Sequence, residues 1–175
     1  MIKKKNRRDL AHELWTRAEK LSESGDHKAA FRLMLKAAKL GELGAQTNVG
    51  YMYDTGSGVR HNQASALKWY KRAYRRGEVC AANNIGTIWR DEKNFKKALY
   101  WFRRVIALRK GDDGDAELEI GKLYLRNNNI RLATYHLKRV LKSRNVTEAG
   151  QEEAEKCLSQ ISRSTTKARP KSRPN

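Results

Sequence analysis

The sequence predicts an all-α fold, a solenoid of about four antiparallel helix pairs followed by a C-terminal cap helix. Three observations predict it. Small residues recur at Ala18, Gly50, Gly86 and Gly121, with spacings of 32, 36 and 35 residues. Alanines recur at Ala30, Ala66, Ala98 and Ala133, with spacings of 36, 32 and 35 residues. Periods in this range mark stacked pairs of helices. No stretch alternates apolar and polar residues over a useful length, so no sheet is expected.

Each element follows from its own pattern. Residues 9–23 place Leu10, Ala11, Leu14, Trp15, Ala18 and Leu21 on one stripe, with Asp9 as the expected N-cap and Gly25 as the stop. Asp26 can cap a second helix, whose stripe of Ala29, Ala30, Leu33, Met34, Ala37 and Ala38 runs to Gly41, completing a first repeat over about 9–41. A second repeat over 44–77 pairs a helix at 44–54 with one at 62–76. Gly56 and Gly58 turn the chain between them and let Val59 tuck inward. The third repeat, 78–110, carries Ile85, Ile88, Trp89, Ala98, Leu99, Trp101, Phe102 and Val105, with a short turn at 91–94. The fourth, 115–143, carries Leu118, Ile120, Leu123, Tyr124, Ala133, Leu137 and Val140 and turns at Asn127, Asn128 and Asn129, since asparagine tolerates left-handed backbone. A capped helix over 147–162, with Ala149, Ala154, Cys157, Leu158 and Ile161 on one side, closes the stack.

Composition bounds the function. The chain has 175 residues, 39% of them hydrophobic, enough for one domain with a substantial core over 9–162. Its net charge is +19, of which ten charges lie in 1–8 and 163–175, leaving +9 on the body. Both ends are expected to be mobile basic arms. Such an excess can attract an acidic protein, nucleic acid or anionic lipid, and by itself names none of them. Cys80 and Cys157 match no metal or redox spacing and read as free thiols in a reducing, cytoplasmic setting. No secretory signal or membrane span is visible.

The second repeat, with Gly50, Tyr53, Gly56, Gly58, Val59, Ala66, Trp69, Tyr70, Ala73 and Gly77, resembles the Sel-like repeats, a subclass of tetratricopeptide repeats with a longer turn inside the helix pair. Gly86, Trp89, Ala98 and Phe102, then Gly121, Tyr124 and Ala133, are similar to the shorter tetratricopeptide form. The first repeat departs, with Ala18 at the glycine mark and Arg17 where the family prefers an apolar residue. The resemblance implies a right-handed superhelix whose first helices line a concave face. It also implies a non-enzymatic scaffold or adaptor, as in bacterial members that assemble complexes, tune signalling or neutralise partner toxins.

Carrying over the family's groove-lining positions nominates Trp15, Glu19, Thr47, Tyr51, Asp54, Asn83, Thr87, Arg90 and Lys122 as partner-binding residues. Hydrogen-bonding side chains there would read a peptide backbone, and Arg90 and Lys122 its carboxylates. The alternative is that these are solvated first-helix residues. On the second helices, Lys71 and Arg72, Arg103 and Arg104, and Lys138 and Arg139 fall five and six residues after their alanines, a basic ridge if the helices stack. The alternative there is a solvated face with arginines covering aromatic edges.

Catalysis finds little support. His12, His27, His61 and His136 fall in different elements, and no His-Glu-x-x-His spacing exists. Asp112, Asp113 and Asp115 surround Gly114 like part of a calcium loop, yet the other ligands are missing, so a turn and N-cap are expected. The sequence therefore reads as a scaffold without catalytic residues, metal or cofactor, binding an acidic protein or peptide. An immunity-type inhibitor of a toxin and a nucleic-acid-associated factor are the alternatives.

Overall fold

Capping side chains decide where each helix begins. The structure, a computed structural model, describes residues 6–167. Asn6 caps α1 (Arg7–Glu23), its side-chain oxygen accepting the N–H groups of Arg8 and Asp9 at 2.9 Å. This corrects the expectation that Asp9 is the cap. Asp9 lies in the first turn, where its charge meets the positive end of the helix dipole. Arg7 and Arg8 thus belong to α1 rather than to a basic arm over 1–8, and the rest of that arm lies outside the described residues.

Asp26 caps α2 (His27–Leu40), which stops at Gly41 with φ 106°. Then follow α3 (Leu43–Thr55), α4 (Gln63–Tyr74), α5 (Val79–Asp91), α6 (Phe95–Leu108), α7 (Gly114–Arg126), α8 (Ile130–Val140) and α9 (Glu148–Lys167). Asn62, Asn94, Asp113 and Asn129 each accept a backbone N–H three residues on, at the start of α4, α6, α7 and α8 respectively. Helix α9 continues through 163–167, where a tail was expected, and the remainder of that tail lies outside the described residues. Among the described residues there is no strand, and the fold class is the all-α helical repeat read from the sequence.

The chain divides between Ile85 and Gly86 into two compact units. In the first, α1 packs on α2, α2 on α3, and α3 on α4. Its core joins Ala18, Ala30, Met34, Ala37, Ala38, Ala45, Val49 and Met52, with Val59 packed against the edge as the glycine turn predicts. Gly50 shows why the marks are small: a Cβ there would sit 2.6 Å from Cδ1 and Cε1 of the fully buried Tyr70. Gly58 is more constrained still. Its φ is 68°, and its Cα lies against the backbone of His27, where a Cβ would overlap the carbonyl.

In the second unit, α6 packs on α7, α7 on α8, and α8 on α9. The small-residue rule repeats, with Gly86 facing Phe102 and Gly121 facing Leu137. Leu118, Leu137, Val140 and Ala154 form a core cluster, with Cys157, Leu158 and Ile161 of α9 against it. Ala149, expected on that inward side, is exposed, and Gly150 is buried instead. Thr147 sets this phase: its Oγ1 accepts the Gly150 N–H at 3.1 Å, and Gly150 then packs against Asp115 and Val146.

The acidic segment before α7 is a structural hub. Asp113 caps α7, accepting the Ala116 N–H at 2.8 Å. Asp112 accepts from Ser143 Oγ and from the Arg144 N–H, and Asp115 accepts from Thr147 Oγ1 at 2.7 Å. These bonds fasten the α8–α9 connection, so the segment acts as the turn and cap expected of it.

Candidate functional site

In the first unit, Glu19 and Glu23 stand four residues apart on α1 and so share a face, while Asn48, Tyr51 and Met52 share one on α3. The fold brings these faces to one cleft of about 380 Å³, also lined by Ser22, Met34 and Ser57. Met34 and Met52 are buried, at 3% and 5% exposure, whereas Tyr51 is 56% exposed. The cleft thus has a thioether floor, an aromatic ring standing in solvent, and two carboxylates.

Of the residues nominated from sequence, Glu19 and Tyr51 meet in this cleft. Trp15 does not line it: its ring lies over Gly44, where a Cβ would be 3.2 Å from Cζ2, and its Nε1 is buried. Trp15 is therefore a packing residue at the edge of the core. Thr47 is half-buried with its hydroxyl inside, and Asp54 is half-buried near Tyr70. Burial first, then the Asp54 charge, pushes the Tyr70 hydroxyl well above its ordinary range. Asn83 is exposed and Thr87 half-buried, both on α5. Sequence reasoning missed Asn48, Ser22, Glu23 and Ser57, although the i, i+3 relation of Asn48 to Tyr51 and the i, i+4 relation of Glu19 to Glu23 were available signals.

In the second unit, Arg90 and Lys122 already hold carboxylates of this chain. Arg90 Nη1 lies 2.7 Å from Glu119 and its Nε 2.9 Å from Asp91; Lys122 Nζ lies 3.1 Å from Glu119 and 3.0 Å from Glu153. Burial alone would pull both cations down, but these bonds outweigh it and hold both above their ordinary values. The network ties α5 to α7 and α7 to α9. A further cleft of about 510 Å³ lies beside it, lined by Arg90, Lys93, Phe95, Leu123, Arg126 and Asn127.

The six ridge residues are all exposed, and three of the arginines are engaged by aromatic or acidic neighbours. Arg72 lies 5.3 Å over the Trp69 ring, Arg103 donates to the Tyr124 hydroxyl at 3.3 Å, and Arg139 lies 5.9 Å over Tyr135. Arg104 has an interaction of its own, and Lys71 and Lys138 extend from α4 and α8.

One charged cluster was invisible in the sequence. Buried Glu117 of α7 lies 2.6 Å from both His136 Nδ1 and Arg139 Nε on α8. Burial pushes the Glu117 carboxyl up, but the bonds from His136 and Arg139 together hold it below the usual range. His136 also stacks on Tyr124 at 5.4 Å. The cluster pins α7 to α8. Among the described residues no group of three or more acidic, histidine or cysteine side chains is arranged to hold a metal ion, and no helix is long and apolar enough to cross a membrane.

Comparison with known proteins agrees with this architecture. A family model described as Sel1 repeat matches residues 19–42, 44–78 and 85–108. The chain is similar to the solved Sel1 repeat protein from Oxalobacter formigenes, with 29% identity, a TM-score of 0.53, and coverage of 66% of this chain and 49% of that one. It is similar in fold to c5321, a protective antigen of uropathogenic Escherichia coli strains displaying an SLR fold, at 23% identity, TM-score 0.59, and 74% and 30% coverage. A tetratricopeptide repeat protein from Parabacteroides merdae matches at 18% identity, TM-score 0.64, and 77% and 53% coverage. The chain spans about half or less of the length of the first two proteins.

Proposed function

The chain belongs to the Sel1 repeat family, and from that premise we propose that it is a non-enzymatic scaffold whose partner docks in the cleft between Glu19 and Tyr51. Repeats of this class are generally protein-interaction scaffolds, because stacked helix pairs present long surfaces without needing chemistry at any one point. The observation that carries the assignment is Tyr51, a large ring 56% exposed above a floor of two methionines. Tyrosine contributes much area at low entropic cost on ordering, and methionine adapts to the shape of an incoming side chain.

Charge acts at two ranges. The net charge of +19 draws a partner of acidic character and speeds encounter. At short range, Glu19 and Glu23 accept hydrogen bonds, so the stretch seated in the cleft offers an apolar side chain flanked by N–H donors or a cation.

Affinity capture from native cells tests this with the intact chain and with a Glu19→Ala, Tyr51→Ala variant of unchanged circular dichroism. The proposal expects a defined protein with the intact chain and its loss with the variant. Equal recovery by a folded variant would show that the cleft is not the docking site.

A further inference from the structure

We propose that the cleft at the turns of the second unit seats an acidic linear segment of a partner protein, one with an aromatic or branched aliphatic side chain beside its carboxylates. This rests on the reading of the chain as a protein binder, but it concerns a different surface from the Glu19–Tyr51 cleft.

Three observations carry it. First, the cleft joins an apolar floor to a cationic rim within about 510 Å³. Phe95 and Leu123 form the floor, and Phe95 is fixed edge-on to Tyr124 at 5.5 Å. Lys93, Arg126 and Asn127 stand around it, all exposed.

Second, the cations divide into two kinds. Arg90 is pinned by Glu119 and Asp91, so it is a rigid polar wall whose charge is already matched. No carboxylate among the described residues is bonded to Lys93 or Arg126, which leaves two unmatched positive charges facing one apolar floor. Charge complementarity then selects carboxylates flanking an apolar side chain.

Third, Lys93 has φ 56°, in the left-handed region. Most such positions among the described residues carry glycine, as at Gly25, Gly41, Gly56 and Gly77. Lys110 and Asn128 share the left-handed conformation, but of the three only Lys93 lines this cleft. A glycine at 93 would relieve the strain, so the lysine costs stability at a position where it supplies a rim charge.

Fluorescence anisotropy with the full chain separates the two effects. The probe is a labelled peptide with phenylalanine centred in a run of four glutamates, titrated at low and physiological salt. Companion probes replace phenylalanine with alanine, replace glutamate with lysine, or substitute an oligothymidylate of equal charge. The acidic phenylalanine peptide should bind best. Lys93→Gly should weaken it about 3-fold or more while raising Tm, Arg126→Gln should weaken it by a similar factor, and Lys36→Gln, at an exposed position of α2, should leave it unchanged. Binding unaffected by Lys93→Gly and Arg126→Gln together would overturn the proposal, as would equal binding of the oligothymidylate or no binding at physiological salt. None of these outcomes bears on capture through Tyr51, so this proposal and the docking proposal fail separately.

Discussion

Replacing Gly50 with alanine tests the packing rule that generates the repeats. The added Cβ would lie 2.6 Å from two ring carbons of Tyr70, whereas carbon atoms pack at about 3.5–4.0 Å, so the ring or the helix must retreat by roughly 1 Å. Tyr70 is fully buried and has nowhere open to go. Overpacking of this kind costs about 1–3 kcal/mol, and removing glycine from a helix interior returns about 1 kcal/mol. With two ring carbons of a fully buried side chain at 2.6 Å the clash lies at the upper end of that range, so the expected net loss is about 2 kcal/mol, or a fall in Tm of about 4–8 °C, read by circular dichroism. In a Tyr70→Leu background the ring is gone, so Gly50→Ala should become neutral or stabilising, with a coupling energy of about 1–3 kcal/mol between the two sites. An unchanged Tm in the native background, or the same shift in both backgrounds, would refute the close-approach argument.

Gly58→Ala should be far worse, at about 3 kcal/mol or more, because its Cβ meets the rigid backbone of His27, whereas Gly77→Ala, in open space, should cost only about 1–2 kcal/mol of left-handed strain; urea titrations of both compare them directly. Glu117 is held below its ordinary value, so its stabilisation is complete above the unfolded carboxyl value and is lost as pH falls through the lower folded one. Glu117→Gln should therefore lower the urea midpoint more at neutral pH than at about pH 4, since the native protein loses this contribution on acidification. Iodoacetamide should label exposed Cys80 well before Cys157, whose thiol is pushed up first by burial and then by Glu153, and peptide mass spectrometry reads the order.

The helical repeat was legible because its cause is local and recurs. Gly50, Gly86 and Gly121 announced close approaches that the fold realises against Tyr70, Phe102 and Leu137. Turn residues were legible for the same reason, since Gly41, Gly56 and Asn128 are needed wherever the backbone turns left-handed. The candidate site was only partly legible. Helical phase put Glu19 and Tyr51 on the same kind of face, and they do meet, but it could not report that Gly44 leaves a seat for the Trp15 ring. Arg90 and Lys122 looked like ligand-reading cations because one carboxylate of each, Glu119 for Arg90 and Glu153 for Lys122, stands on another helix, although Asp91 beside Arg90 and Glu119 three residues before Lys122 were readable in the sequence. The rotation of one helix against another is not written in the periodicity of either. His136 and Glu117 were missed for that reason, and Ala149 was misplaced because the Thr147 cap sets the phase of α9.

Photocrosslinking from position 51 tests the docking assignment most directly. Tyr51 on a first helix and Tyr135 on a second helix are almost equally exposed, at 56% and 55%, so exposure alone does not distinguish them. With a benzophenone amino acid at one or the other position in native cells, the proposal predicts a discrete crosslinked protein from 51, reduced by Glu19→Ala, and none from 135. A discrete adduct from 135 with none from 51 would contradict it.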